Sequence, residues 1–394
     1  MRSKIKYLDY GILIPFFILM GIGFIMIYSA SSDLLIINNL DPMSYLKRQL
    51  VFAVVALFIG AVVFSLKIRV FKNRSLVISA LFVVVMLLLY LVFLKLVKGD
   101  SAAVNGAVGW INVGSFNIQP VELAKFVLVL YLGFVLSRRD GRFVPGKIIS
   151  ELTGPSFIAI VLMLLTLFQP DLGGAAILFV ITIIMFSVSG IPSKRVIILD
   201  LLLISLIVLG VAFLIWWNPP FLQHSYQFQR LLSFINPFKL EQHGGAQLVN
   251  SYYAIHNGGL FGVGLGNSIQ KRGYLPEPYT DFIFSIITEE IGVIGAAVIL
   301  ALIFFLIWRI MMVGLKAKDS FNTLVCFGIA TMIFIQTFFN VGAVLGLLPI
   351  TGVTLPFISY GGSSLIVLTA SIALVLNIAA NERIQLEEVS GLEN

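Results

Sequence analysis

Residues 281–308 read DFIFSIITEEIGVIGAAVILALIFFLIW, and this stretch decides the fold. From Phe282 to Trp308 it stays apolar long enough to cross a membrane as a helix, which takes about 20 residues. Yet it opens on an aspartate and carries two more carboxylates, Glu289 and Glu290, in its first third. Charge inside a spanning helix is costly and marks function by default. The preceding segment, NGGLFGVGLGNSIQKRGYLPEPYT (257–280), is glycine-rich and cationic and tightens through Pro276 and Pro278. A polar loop thus delivers Asp281 to the mouth of a membrane helix.

Working outward, the same signature fills the chain. It has 394 residues, 59% hydrophobic and only 11% charged, with mean hydropathy +1.02. Soluble proteins carry roughly 25% charged residues. Ten apolar spans are expected, over residues 10–29, 49–66, 76–97, 121–137, 157–169, 175–191, 196–216, 282–308, 321–344 and 363–380. The fold class is therefore all-α, a polytopic membrane protein in one domain, 1–394. The first span is too long for a signal-peptide core and lacks a small-residue cleavage site, so it is read as a spanning helix.

Ten spans put both termini on one side, and that side holds 17 of the 26 Lys and Arg residues against 8 on the other, with Lys125 inside span four. The positive-inside rule makes it the cytoplasm, including a short C-terminal tail at 381–394. The large loop between spans seven and eight, 218–280, then faces outward. So do Gly99–Pro120, with Trp110, and the uncharged GLLPITGVTLPFISYGG at 346–362, which suits a re-entrant stretch lining a cavity.

Several classes drop out. The net charge of +7 sits at helix ends, as orientation requires, and is no nucleic-acid signature. The one cysteine, Cys326, can form no intrachain disulfide, and His224, His243 and His256 are irregularly spaced in one loop. There is no GxxxxGK[ST], and the GVGLG at 262–266 reads as a flexible turn.

Candidate site residues gather at the outer face. Asp281 either caps span eight or serves a polar site; Thr280 before it and the loop cations Lys271 and Arg272 favour the site. At 100° per residue Glu289 lies about 80° round from Asp281 and can line the same cavity, whereas Glu290 is nearly opposite and suits a lock onto a neighbouring helix. Glu122 and Lys125, three apart in span four, share one face and form an ion pair or a site wall. Gln119 extends that polar patch, Arg48 opens span two, and Asp171 sits in a short outer turn. Carboxylates and cations without a serine–histidine system suit a lipid-anchored diphosphate-sugar. A carboxylate can act as general base on a sugar hydroxyl, and cations can stabilise the departing diphosphate, with a divalent ion (Mg2+ or Mn2+) compatible and no organic cofactor implied.

The stretches GNSIQKRGYLPEPYTDFIFSIITEEIG, NGAVGWINVGSFNIQPVELAK, QPDLGGA, QFQRLLSFINPF and TGVTLPFISYGGSS resemble the SEDS family (shape, elongation, division and sporulation), which includes FtsW and RodA. The resemblance covers almost the whole chain and is nearer the FtsW division branch of Gram-positive bacteria. It implies a peptidoglycan glycosyltransferase that polymerises lipid II outside the cytoplasmic membrane, at the septum, beside a class B penicillin-binding protein and other division-complex membrane proteins. It also implies Asp281 as general base toward the acceptor GlcNAc 4-hydroxyl. Arg48, Trp110, Gln119, Glu122, Lys125, Asp171, Arg230, Lys271, Arg272, Thr280, Glu289, Ser359 and Ser363 are the residues expected to contact substrate. Gly109, Val121 and Gly174 depart from the family pattern, and the first removes a basic residue. A lipid II transporter using the same charges, or a RodA-type elongation polymerase, are the alternatives.

Overall fold

A computed structural model describes residues 2–99, 108–113, 116–139, 148–191, 226–240 and 244–392, with isolated positions between 197 and 219. The seventh expected span, 196–216, lies mostly outside the described residues, as do His224 and His243.

Thirteen helices are present among the described residues. They are α1 (Arg2–Lys6), α2 (Tyr10–Ile37), α3 (Ser44–Ser65), α4 (Ile68–Phe71), α5 (Arg74–Lys98), α6 (Pro120–Ser137), α7 (Ile148–Phe168), α8 (Leu172–Val188), α9 (Tyr226–Ile235), α10 (Ala246–Gly258), α11 (Ile283–Lys316), α12 (Ser320–Val344) and α13 (Gly362–Leu392). Eight are long and apolar enough to cross a membrane, and α8 is a shorter apolar helix. The protein is a multi-pass membrane protein. A two-stranded antiparallel hairpin, β1 (Ile111–Val113) with β2 (Phe116–Ile118), leads into α6.

Local chemistry sets the helix starts. Asp9, Asn73, Asp171 and Asp319 each accept a backbone N–H from the first turn of α2, α5, α8 and α12, satisfying groups that a helix start leaves open. Pro120 at the first position of α6 uses its fixed φ and missing N–H in the same way.

The bundle has a centre and a periphery. In α13, 94% of the apolar window is buried, against 28% in α3 and in α5. Helices α6 and α12 are also mostly buried, and they pack on each other and on α8, while α13 packs along α3. Outward-facing Val54, Phe58, Phe82, Leu96 and Phe157 are exposed, as lipid contact allows.

At one end Asp9 ties three elements together. Its carboxylate accepts from Arg309 Nε at 3.1 Å and Nη2 at 2.8 Å, and from Arg383 Nη2 at 2.8 Å. The starts of α2 and the ends of α11 and α13 therefore lie at one face. Asp281 lies at the opposite face, because it precedes the start of α11 at Ile283 while Arg309 lies near the end of α11 at Lys316.

Helix α11 is broken. Gly292 has φ +75, and the loop 259–264 inserts at the break. Val263 and Gly264 N–H donate to the Glu289 and Glu290 carbonyls, while Val293 and Ile294 N–H donate to Gly259 and Leu260. Bonds lost by the helix are thus regained from the loop, which is how irregular backbone persists at membrane depth. The GVGLG expected to be a flexible turn is this fixed insertion.

Candidate active site

Asp281 precedes α11 rather than capping it: the N-cap is Phe282, which makes no side-chain cap bond. The Asp281 carboxylate lies 2.6 Å from Thr280 Oγ1, whose single O–H is shared between it and Glu277 O at 3.1 Å. A Cβ added at Gly352 would lie 3.7 Å from Asp281 Oδ2 and 3.6 Å from Arg230 Nη1. The acid just before α11 and the cation of α9 therefore both approach the same glycine. Arg230 Nη1 is held in turn by Ile350 O at 3.1 Å. The loop residues 350–360 thus pack along the Asp281 turn.

Beneath lies a second charged group. Lys125 Nζ is 2.7 Å from Glu122 Oε1, with side chains only 1% and 8% exposed, and Gln336 Nε2 of α12 donates to Glu122 Oε2 at 3.3 Å. Asp171 caps α8 by accepting Gly174 N–H at 2.7 Å. Burial pushes the Asp171 carboxyl above its ordinary value, and Glu122 adds to this; the Gly174 N–H and the cations Lys125 and Arg230 oppose it. Glu122, Lys125 and Arg230 therefore each act electrostatically on Asp171.

Not every expected residue joins them. Lys271 and Glu289, expected to contact substrate, are buried and engaged within the protein. Lys271 is 1% exposed and pairs with Glu290 at 3.0 Å, also donating to Gly266 O and Ser29 Oγ. Glu290, bound to Ser29 of α2 at 2.7 Å, is the interhelical lock its angle indicated. Glu289 accepts from Ser268 Oγ and from the N–H groups of Ile269 and Gln270, clamping the loop onto α11.

Ser359 and Ser363 are likewise engaged within the protein. Ser359 Oγ donates to Thr280 O at 2.6 Å and accepts from Leu355 N–H. Ser363 Oγ accepts the Gln119 N–H at 3.0 Å and donates to Asn117 O, fixing the hairpin before α6. Arg272, 57% exposed, sits 3.5 Å from Asp33 at the other side of the loop. Arg48 is exposed beside the Tyr360 hydroxyl, where Tyr45 stacks on Tyr279 and Tyr360 meets both edge-on. Trp110 is half-buried just before β1. The residues that sequence reasoning missed are the α12 amides Gln336 and Asn340. Their spacing of four put them on one helix face, which was the available signal.

Comparison with known proteins settles the lineage. The profile described as cell cycle protein, FtsW/RodA/SpoVE, matches residues 11–384. The chain belongs to this family. It is 42% identical over 410 residues to a probable peptidoglycan glycosyltransferase FtsW of Lactococcus lactis subsp. lactis (strain IL1403), covering 100% of this chain and 96% of that one. Among solved structures, a chain from a peptidoglycan synthase complex, studied for coordination of polymerization and crosslinking, superposes with TM-score 0.75 at 29% identity, covering 95% of this chain and 98% of its own. The rod shape determining protein RodA of Thermus thermophilus superposes with TM-score 0.66 at 27% identity, over 95% and 97%.

Proposed function

We propose that this family member is a peptidoglycan glycosyltransferase. It polymerises lipid II at the outer face of the cytoplasmic membrane during cell division, beside a class B penicillin-binding protein at the septum. The observation that carries the reading is that Asp281 and Arg230 both approach Gly352, at the end of the bundle opposite the Asp9 cluster.

The chemistry follows from that pair. Asp281 takes the proton of the acceptor 4-hydroxyl as its oxygen attacks the anomeric carbon of the donor. The bond from that carbon to the lipid diphosphate breaks, and the electron pair leaves with the diphosphate. Arg230, at the Asp281 level, and Lys125 below it offset the charge that develops there. A diphosphate leaves without protonation, so one carboxylate base suffices. Among the described residues no group of three or more His, Cys, Asp or Glu could hold a metal. Magnesium is commonly held by one or two carboxylates together with substrate phosphates, so a divalent ion stays compatible with the site, and no step is routed through one.

The transporter reading has lost two of its intramembrane charges, since Glu289 and Glu290 are locked in protein contacts. The test is glycan polymerisation from purified lipid II, with the protein co-purified with its transpeptidase and the latter blocked by penicillin. Wild type is expected to make polymer, and Asp281→Ala and Asp281→Asn to fold but lose at least about 100-fold, the scale of a general base. Normal polymer from either variant would place the base elsewhere.

A further inference from the structure

Three consecutive carbonyls present Asp281. Tyr279 O accepts Tyr360 N–H at 2.9 Å, Thr280 O accepts Ser359 Oγ at 2.6 Å, and Asp281 O accepts Asn340 Nδ2 at 2.8 Å. The first two donors belong to the same loop that carries Gly352. The third comes from α12, near its C-terminal end.

Asn340 does more than close the series. Its Nδ2 also donates to Val353 O at 2.8 Å, and Val353 adjoins Gly352, which both Asp281 and Arg230 approach. One buried amide thus bridges the backbone that carries the acid and the backbone opposite it. Its Oδ1 finds no partner among the described residues, so its two donors set its place. Asparagine alone combines two N–H bonds on one nitrogen with this reach; aspartate has the shape and no donor when ionised, and glutamine is one methylene longer.

We infer that Asn340 is a positioning residue for Asp281: by holding Asp281 O and Val353 O at once, its amide fixes the carboxylate relative to the Gly352–Arg230 side of the site. The inference rests on Asp281 being the general base. Asn340 touches no reacting atom, so its effect runs through geometry, where a displacement of about 1 Å can cost about 100-fold in rate. Substrate contacts made elsewhere are untouched, so KM should hold while kcat falls.

The experiment measures kcat and KM for purified lipid II in the penicillin-blocked transpeptidase complex, for wild type, Asn340→Ala, Asn340→Asp and Asp281→Ala. For Asn340→Ala the expected result is a kcat loss of about 100-fold with KM within about twofold and an unfolding midpoint close to wild type. Asn340→Asp keeps the volume, so it answers if the alanine variant does not fold; at neutral pH it should lose at least as much. Wild-type kcat in either folded variant overturns the inference. So does a loss matched by the loss of folded protein, with kcat per folded molecule unchanged, which is what a purely structural role predicts. If Asp281→Ala is inert and Asn340→Ala is fully active, only the positioning role falls. If Asp281→Ala polymerises normally, the base assignment falls and takes this inference with it.

Discussion

Asp171 holds its carboxylate where burial resists the charge, and that conflict is measurable. The folded protein raises the carboxyl's pKa, burial outweighing the Gly174 N–H and the cations Lys125 and Arg230. The sign follows directly. Folding favours the protonated form, so this contribution to stability is complete below the unfolded carboxylate value of about 3.9 and is lost as pH rises through the higher folded value. Asn at this position keeps an oxygen for the Gly174 N–H and carries no charge. Asp171→Asn should therefore melt above wild type at pH 8, with the gap closing toward pH 4, while polymerisation falls because a site charge is gone. Thermal unfolding across pH checks it, and a gap independent of pH would contradict the burial argument. At this scale the sequence was partly readable. The Glu122–Lys125 pair follows from a spacing of three, which one helix face enforces. Glu289 was misread because a helical angle says where a side chain starts and not which loop folds over it; Ser268, Ile269 and Gln270 surround it through tertiary structure.

The elements were more legible than the residues, since hydrophobicity marks a membrane span without reference to tertiary contacts. Expected spans at 49–66, 121–137 and 321–344 became α3, α6 and α12 with shifts of a few residues. The break in α11 was not legible, because IGVIG inside a long apolar run looks like more helix until the inserted loop is seen. The insertion depends on two glycines with left-handed backbone, Gly262 (φ +82) and Gly292 (φ +75). A Cβ on Gly262 would run into the backbone of Glu290 and Gly292, which cannot turn away as a side chain can. Gly262→Ala should thus cost at least about 1–3 kcal/mol from strain and overpacking together. It should open the loop to protease between Gly259 and Gly264 and weaken polymerisation by loosening the half-helix that follows Asp281. A variant with wild-type unfolding and protease resistance would show that the break tolerates a side chain. The loop also buries the Lys271–Glu290 pair, which cannot separate without stranding a charge.

For the whole molecule the decisive question is which end faces the cytoplasm. Internal geometry fixes only that Asp9, Arg309 and Arg383 share one end and Asp281 the other. Orientation comes from the distribution of Lys and Arg, a physical preference of the membrane and its insertion machinery. It matters because lipid II polymerisation outside the cell requires Asp281 on the outer side. Cys326 is buried and can be replaced by Ala to leave a cysteine-free background. Tyr274, exposed near the Asp281 end, and Glu388, exposed on α13 near the Arg383 end, then serve as single reporters. Tyr274→Cys should react with a membrane-impermeant maleimide in intact cells, and Glu388→Cys only after permeabilisation. The reverse pattern would put the Asp281–Arg230 pair in the cytoplasm, where the proposed polymerisation of externally displayed lipid II has no substrate to act on.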